Sequence, residues 1–304
     1  MTQVVEKEKT QKIDPILAEF IPQERDENYI ARDIDKEVAN ICKMPLNKRR
    51  PIFFLSEAAT GKTSLARNFA FERKLPFLLI EVDASMNFND LLYKVKLQNA
   101  SAIYEPGLLV KMLQSPCVIL FDELASANAE LFFKLHELLQ ERQIFVKELN
   151  KVFKMHENCY IFAASNFRNS LYIGNNKLNS ALISRFMVKI MDDFSTDELK
   201  KIITFKDTAV RDNVLEFYNK VKENIKKQSK KYVITIRHLQ NIFNMLEAGF
   251  TPTEALHYGF IDSIAVNNEL GEMKAIRDLA VASIKGYKLD ERQVVGSENS
   301  YDKM

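Results

Sequence analysis

The stretch that decides the fold is "SEAATGKTSLARNFA", residues 56–70. It follows the apolar run "PIFFLS", residues 51–56, which predicts a buried strand, and it continues into a helical pattern. A loop between a strand and a helix directs several backbone N–H groups to one place, beside the positive end of the helix. The closing Gly-Lys-Thr is typical of a phosphate-binding loop, although Ser56 stands where that motif begins with glycine.

Each residue type in the loop suits the binding of a nucleotide. Gly61 allows close approach of the backbone to a phosphate, Lys62 reaches the β- and γ-phosphates, and Thr63 offers a hydroxyl to Mg²⁺. Serine is compatible with position 56 if its φ is negative. The alternative is a strand–helix turn that contains Gly-Lys-Thr by chance. The predicted nucleotide-binding residues are Ser56, Glu57, Ala58, Ala59, Thr60, Gly61, Lys62, Thr63 and Ser64.

Strands and helices alternate after this loop. Continuous apolar strands that are separated by helices indicate a parallel sheet covered on both faces. Further strands are predicted at "PFLLIEVDA" (76–84), "CVILFDEL" (117–124) and "NCYIFAASN" (158–166). Helices are predicted at residues 61–74, 87–97, 107–115 and 128–142. A β-hairpin is predicted within residues 142–157, before the last of these strands.

Two acidic residues follow the third buried strand. Asp122 and Glu123 stand at its carboxyl end, which faces the ligand crevice in an open α/β sheet. In a nucleotide site Asp122 would hold Mg²⁺ together with Thr63, and Glu123 would deprotonate the attacking water. The alternative is an ordinary strand end with two solvated acids.

The predicted organisation has four parts. Ser195 and Glu198 form a capping box that starts a purely helical region. We therefore expect a flexible N-terminal arm (1–27), an α/β nucleotide-binding domain (28–194), a helical lid domain (195–287) and a flexible tail (288–304). The fold class is α/β, a P-loop NTPase parallel sheet flanked by helices, with the lid C-terminal to it.

The composition says more about the cellular location than about the function. The formal net charge of +2 gives no strong overall field for nucleic acid or a membrane surface. Three cysteines without a CxxC spacing favour a reducing, cytoplasmic location. The N-terminus has no apolar segment of a secretory signal, and no apolar run approaches the roughly 18 residues of a membrane span.

From about residue 40 to about residue 260 the chain resembles the AAA+ ATPases, and within them the MoxR and CbbQ/NirQ-like group. Besides the two elements above, the resemblance rests on "YIFAASNF" (160–167), "NSALISRF" (179–186), "VITIRHLQN" (233–241) and "YEPGLLVKMLQSPCVILFDE" (104–123). It implies that Asn166 is the sensor 1 residue, Arg185 the arginine finger that acts on a neighbouring subunit, and Arg237 the sensor 2 residue. Segments 86–107 and 142–157 would be the insert and the hairpin of this group. The run "LASANAEL" departs from the Asn-Arg-Ala-Pro run common in MoxR proteins.

The resemblance implies a Mg²⁺-dependent ATPase that assembles into a ring, most simply a hexamer, and remodels a protein client as a chaperone. A von Willebrand A-type adaptor is a common partner in this group. Two alternatives stay open. One is a DNA- or RNA-acting motor, such as a helicase loader or packaging ATPase, with Lys147, Lys151 and Lys154 touching phosphates. The other is a nucleotide-binding scaffold without turnover.

Overall fold

The computed structural model describes residues 14–99, 101–167, 180–228, 232–265 and 270–284. These residues divide into two compact units. The first comprises residues 14–56, 61–167 and 180–191, and the second comprises residues 57–60 and those from 192 onward. The domain boundaries expected at residues 194 and 287 stay predictions, and the tail from residue 288 lies outside the described residues.

A parallel five-stranded sheet forms the centre of the first unit. Its strands, in spatial order, are β2 (Phe77–Glu81), β5 (Cys117–Asp122), β8 (Cys159–Asn166), β1 (Ile52–Ser56) and β9 (Met187–Ile190). The helices of this unit are α1 (Pro15–Ala18), α2 (Asp33–Cys42), α3 (Lys62–Glu72), α4 (Asn89–Leu92), α5 (Leu108–Leu113), α6 (Ala129–Glu141) and α7 (Ser180–Ile183). This is the predicted P-loop NTPase arrangement of a sheet flanked by helices. The strand β9, which the sequence did not predict, adds an edge next to β1.

Two apolar layers cover the sheet because successive strand residues point to opposite faces. Phe53 belongs to the core on one side, together with residues of α5 and α6. Ile52 and Phe54 belong to the core on the other side, where they meet residues of α2 and α3. All three side chains are at most 1% exposed. The pattern explains why the central strands read as continuous apolar runs.

Register brings the polar ends of the strands to one edge of the sheet. Ser56 at the end of β1 pairs with Asn166 at the end of β8. Asp122 at the end of β5 pairs with Glu81 at the end of β2. The residues predicted to bind nucleotide and metal therefore share the carboxyl edge, where open parallel sheets bind their ligands.

Two hairpins lie outside the main sheet. The predicted one is present as β6 (Gln143–Val146) and β7 (Lys151–Lys154). The other, β3 (Tyr93–Gln98) with β4 (Ser101–Pro106), corrects the helix predicted for residues 87–97. Only α4 of that prediction is helical. The remainder pairs as strands because lysines and apolar residues alternate there with the period of two that a strand requires.

The N-terminal segment also differs from its prediction. Leu17 of α1 is fully buried in the core, and the backbone N–H of Phe77 donates to the carbonyl of Phe20 at 2.9 Å. The segment around Leu17 and Phe20 is therefore held against the core, which the flexible arm predicted for residues 1–27 did not foresee, whereas residues 23–27 are exposed. Residues 1–13 lie outside the described residues.

The described part of the second unit from residue 195 onward is built from helices. They are α8 (Thr196–Ile202), α9 (Thr208–Gln228), α10 (Ile236–Glu247), α11 (Pro252–Leu256), α12 (Asp262–Ala265) and α13 (Leu270–Ser283). Ser195 and Glu198 form the predicted capping box at the start of α8. Gly249, with φ of 91°, follows α10, and another capping box begins α11 at Thr251.

Candidate nucleotide site

The loop between β1 and α3 has the backbone that a phosphate cradle needs. Ala59 and Gly61 have positive φ values of 61° and 91°, whereas Ser56 and Thr60 are not among the described residues with positive φ. Alternation between left- and right-handed residues turns successive N–H groups towards one side. Ser56 therefore keeps the negative φ that serine tolerates, and the motif's first glycine is not required at this position.

Lys62 is held by two side chains from neighbouring strands. Its Nζ donates to Ser56 Oγ and to Asn166 Oδ1, each at 2.8 Å. The side chain is only 7% exposed, and Ser56 is fully buried. A buried ammonium must be hydrogen-bonded to be tolerated, and these contacts compensate for the burial of Lys62.

Thr63 and Asp122 form the predicted metal pair. Thr63 Oγ1 donates to Asp122 Oδ2 at 2.7 Å, which joins the first turn of α3 to the end of β5. Hydroxyl and carboxylate oxygens suit Mg²⁺, which keeps several waters and takes further oxygens from substrate phosphates. Within the described residues there is no group of three or more His, Cys, Asp or Glu side chains that could hold a metal. The pair fits a Mg²⁺ ion that arrives with a nucleotide.

Glu123 occupies an unusual backbone conformation. Its φ of 51° and ψ of 37° are left-handed, which costs a non-glycine residue about 1 kcal/mol. Its backbone N–H donates to Asp122 Oδ1 at 2.9 Å, and its Oε1 accepts from Asn166 Nδ2 at 2.6 Å. This conformation turns the chain sharply away from β5. Strained backbone conformations of this kind are common in functional sites.

Asn166 connects the two halves of the site. Lys62 can only donate and a carboxylate can only accept, so the amide oxygen must face Lys62 and the amide nitrogen must face Glu123. The residues of the resulting hydrogen-bonded chain are Ser56, Lys62, Asn166, Glu123, Asp122 and Thr63. All of them were predicted as site residues, and the structure brings them together.

The two predicted arginines are placed differently. Arg185 follows α7, and its side chain donates to the carbonyl of Ala181 and, at 2.5 Å, to Gln140 Oε1. Arg237 is an exposed residue in the first turn of α10 in the second unit. Their roles as arginine finger and sensor 2 stay predictions.

Sequence reasoning missed Ser165, which supports the turn after Glu123. Its Oγ accepts from the backbone N–H of Ala125 at 2.9 Å, and its side chain is 1% exposed. A serine in the otherwise apolar "YIFAAS" was the available signal, because a buried hydroxyl in a central strand needs a partner.

Sheet order, strand-end acids and phosphate loop together define a P-loop NTPase fold. Residues 51–186 match the family model described as AAA domain (dynein-related subfamily). The match begins just before β1 and ends just after Arg185, so it covers the residues that form the hydrogen-bonded chain. It supports the AAA+ assignment of this segment, whereas the MoxR-like subgroup stays a prediction.

Curated relatives are identical to this chain at about a quarter of the aligned positions. Midasin of Dictyostelium discoideum is 26% identical over 172 residues, which are 56% of this chain but 3% of that protein. "Putative chaperone BssE" of Thauera aromatica is 26% identical over 55% of this chain and 57% of its own length. An uncharacterized protein of Staphylococcus haemolyticus is 25% identical over 64% of this chain and 76% of its own length. The chain thus spans a very small part of the midasin it matches.

Among solved structures, a "putative ATPase" from Cytophaga hutchinsonii aligns over 56% of this chain and 48% of its own, with 17% identity and a TM-score of 0.43. This score is too low to bear on the fold. Over the part of the chain that the structure describes, none of the helices combines the length and apolarity needed to cross a membrane.

Proposed function

We propose that this protein is a Mg²⁺-dependent ATPase that works in a ring of several copies and remodels a protein client. The observation that supports the ATPase activity most is the set of hydrogen bonds that links Ser56 and Lys62, through Asn166, to Glu123, Asp122 and Thr63. It places a lysine, a metal pair and an acid oriented by an amide at the carboxyl edge of one parallel sheet. These are the parts that phosphoryl transfer to water requires.

In the proposed reaction the loop amides and Lys62 bind the phosphates of ATP. Glu123, held by Asn166, accepts a proton from the water whose oxygen attacks the γ-phosphorus. The bond between that phosphorus and the β–γ bridging oxygen breaks, and ADP and phosphate leave. Thr63 and Asp122 would hold Mg²⁺, which neutralises phosphate charge when it is bound.

Arg185 makes this activity depend on assembly. In the proposed ring it reaches the nucleotide of the neighbouring copy, where a fixed guanidinium stabilises the charge that spreads over the γ-phosphoryl group. Arg237 would contact the nucleotide from the helical region. Through this contact, each cycle of ATP binding and hydrolysis would move the helical region. An isolated copy would then bind ATP but turn it over slowly.

The exposed faces of the two hairpins favour a protein client over nucleic acid. Val95 and Leu97 on β3 are 52% and 84% exposed, and their pairing partners Tyr104 and Ala102 share that face. Phe145 on β6 is 43% exposed opposite Val152 at 45%. Apolar and aromatic surface of this kind suits unfolded protein chain, whereas a backbone of phosphates calls for positive charge.

The test of the ATPase is turnover measured over a protein concentration series, with particle mass from light scattering. We expect the specific activity to rise with assembly and to vanish in Glu123→Gln, which should still bind ATP. Glu81→Gln is the matched control, because Glu81 lies at the same sheet edge in register with Asp122. Tight ATP binding without turnover at any concentration would instead favour the scaffold.

The test of the client class uses Glu123→Gln loaded with ATP, so that bound clients are not released. We expect it to retain a permanently unfolded protein, such as a reduced and carboxymethylated one, and Leu97→Asp to weaken that binding. The double variant Lys151→Ala with Lys154→Ala tests the alternative, in which the hairpin binds nucleic acid. Salt-sensitive binding of single-stranded DNA that depends on these two lysines would favour the nucleic-acid motor.

A further inference from the structure

Arg185, the proposed arginine finger, is hydrogen-bonded to Gln140, a residue that belongs to none of the sequence motifs. Arg185 Nη2 donates to Gln140 Oε1 at 2.5 Å, across 45 positions of sequence. Gln140 lies in the last turn of α6, and its own surface is exposed. The contact therefore joins the helix that follows the acidic pair to the segment that carries the arginine.

The backbone around Arg185 is fixed independently of Gln140. Phe186 is 6% exposed and packs against Phe53 of β1 with ring centroids 5.7 Å apart. Arg50 Nη1 donates to the carbonyl of Ser184 at 3.0 Å. The Cα of Arg185 is thus held by the core, and only the long side chain remains to be oriented.

Gln140 orients the side chain of Arg185 without neutralising its charge and without occupying all of its N–H donors. An amide oxygen carries no net charge, so the guanidinium keeps its full positive charge. The bonds to Gln140 and to the carbonyl of Ala181 use one N–H on each terminal nitrogen, and each terminal nitrogen carries a second N–H. A phosphate oxygen can therefore be bound by both ends of the guanidinium while these two contacts persist.

We propose that Gln140 is a positioning residue that presents Arg185 to the nucleotide of the neighbouring copy. This inference rests on the proposed function, because it requires Arg185 to act in the transition state. Restricting a flexible arginine to one orientation matters when a displacement of about 1 Å at a reacting group can cost roughly 10²-fold in rate. Gln140 would also tie the finger to α6, the helix that begins shortly after Glu123.

The experiment is a double-mutant cycle on kcat in the assembled state. Gln140→Met keeps the length of the side chain and removes the acceptor, and we expect it to lower kcat about tenfold, short of the roughly 10³-fold expected for Arg185→Ala. In the Arg185→Ala background, Gln140→Met should change kcat by less than about twofold. Gln140→Glu keeps an acceptor at the same place but adds a negative charge beside the guanidinium, so its kcat should stay below that of the native protein. Glu141→Ala, at the next and also exposed position of α6, is the control.

The outcomes separate the two proposals. If Arg185→Ala lowers kcat but Gln140→Met does not, the positioning role is wrong and the ring ATPase stands. If Gln140→Met lowers kcat equally in both backgrounds, or also lowers the melting temperature and raises the KM, its role is structural. If Arg185→Ala leaves kcat unchanged, the finger and the positioning role both fall, while turnover that still requires Glu123 would keep the ATPase.

Discussion

Removing the hydroxyl of Ser56 should make the protein bind nucleotide more tightly. An ammonium has three N–H donors, and the contacts of Lys62 include bonds to Ser56 Oγ and Asn166 Oδ1. Contact with both the β- and the γ-phosphate needs two donors. At least one of the two existing bonds must therefore be given up when the nucleotide binds.

The size of the effect follows from this exchange. A hydrogen bond to a charged group contributes about 1.5–3 kcal/mol, and here Ser56→Ala removes it from a lysine that is 7% exposed. The nucleotide-free protein is destabilised by that amount and the bound protein by less. If about half of the energy is specific to the free state, the Kd falls roughly 4- to 12-fold. The melting temperature of the free protein should fall by roughly 2–4 °C for each kcal/mol lost.

The assay is titration calorimetry with Mg²⁺ and a non-hydrolysable ATP analogue, together with melting curves with and without the analogue. Ser56→Gly is the matched variant. Because Ser56 is not among the described residues with positive φ, glycine relieves no strain and should match alanine in affinity. Unchanged affinity in Ser56→Ala with tighter binding in Ser56→Gly would show that the backbone decides, and weaker binding in both would show that the hydroxyl prepositions Lys62.

Phe133 lies seven residues before Gln140 on the same face of α6, and it is 78% exposed. Phe133→Asp should therefore weaken each contact between copies by about 2–3 kcal/mol, which light scattering would detect as a loss of assembly. Phe145→Asp on the hairpin should leave assembly unchanged. All three cysteines are buried, and burial raises the pKa of Cys42 to about 12, so at pH 8 the unreactive neutral thiol dominates. A thiol reagent should therefore modify none of them before unfolding, and rapid modification of the native protein would contradict the packing. Thr63→Ala should raise the Mg²⁺ concentration needed for half-maximal turnover, while chelation of Mg²⁺ should stop turnover in both proteins; an unchanged Mg²⁺ requirement would remove Thr63 from the metal site.

The central sheet and the site were predictable because both depend on local pattern. An apolar run that ends in polar residues marks the carboxyl end of a buried strand, and parallel pairing then brings those ends together. Asp122 could therefore be placed at this edge from the pattern alone, whereas Asn166 was assigned through the family resemblance. The negative φ that Ser56 requires was a condition stated from the sequence, and it is met.

The parts that were missed have weak or ambiguous patterns. In the hairpin formed by β3 and β4, every residue of Lys94–Gln98 is exposed, so no buried face distinguishes a strand from an amphipathic helix. The edge strand β9 is four residues long and only half buried. The docking of the N-terminal segment depends on Leu17 and the partly buried Phe20, a pair too short for any periodicity to reveal.

Contacts between distant positions are the hardest to foresee, and Asn166 shows why they matter. The sequence marked it as one polar residue at the end of a strand. In the structure it accepts from Lys62 and donates to Glu123, so the group proposed to bind phosphate and the group proposed to activate water share one amide. If Lys62 leaves Asn166 to reach the phosphates, the amide loses a charged donor on one side while it still holds Glu123 on the other. The orientation of the base is therefore coupled to the capture of the phosphates, and this coupling resides in the pairing of β1 with β8 rather than in either motif alone.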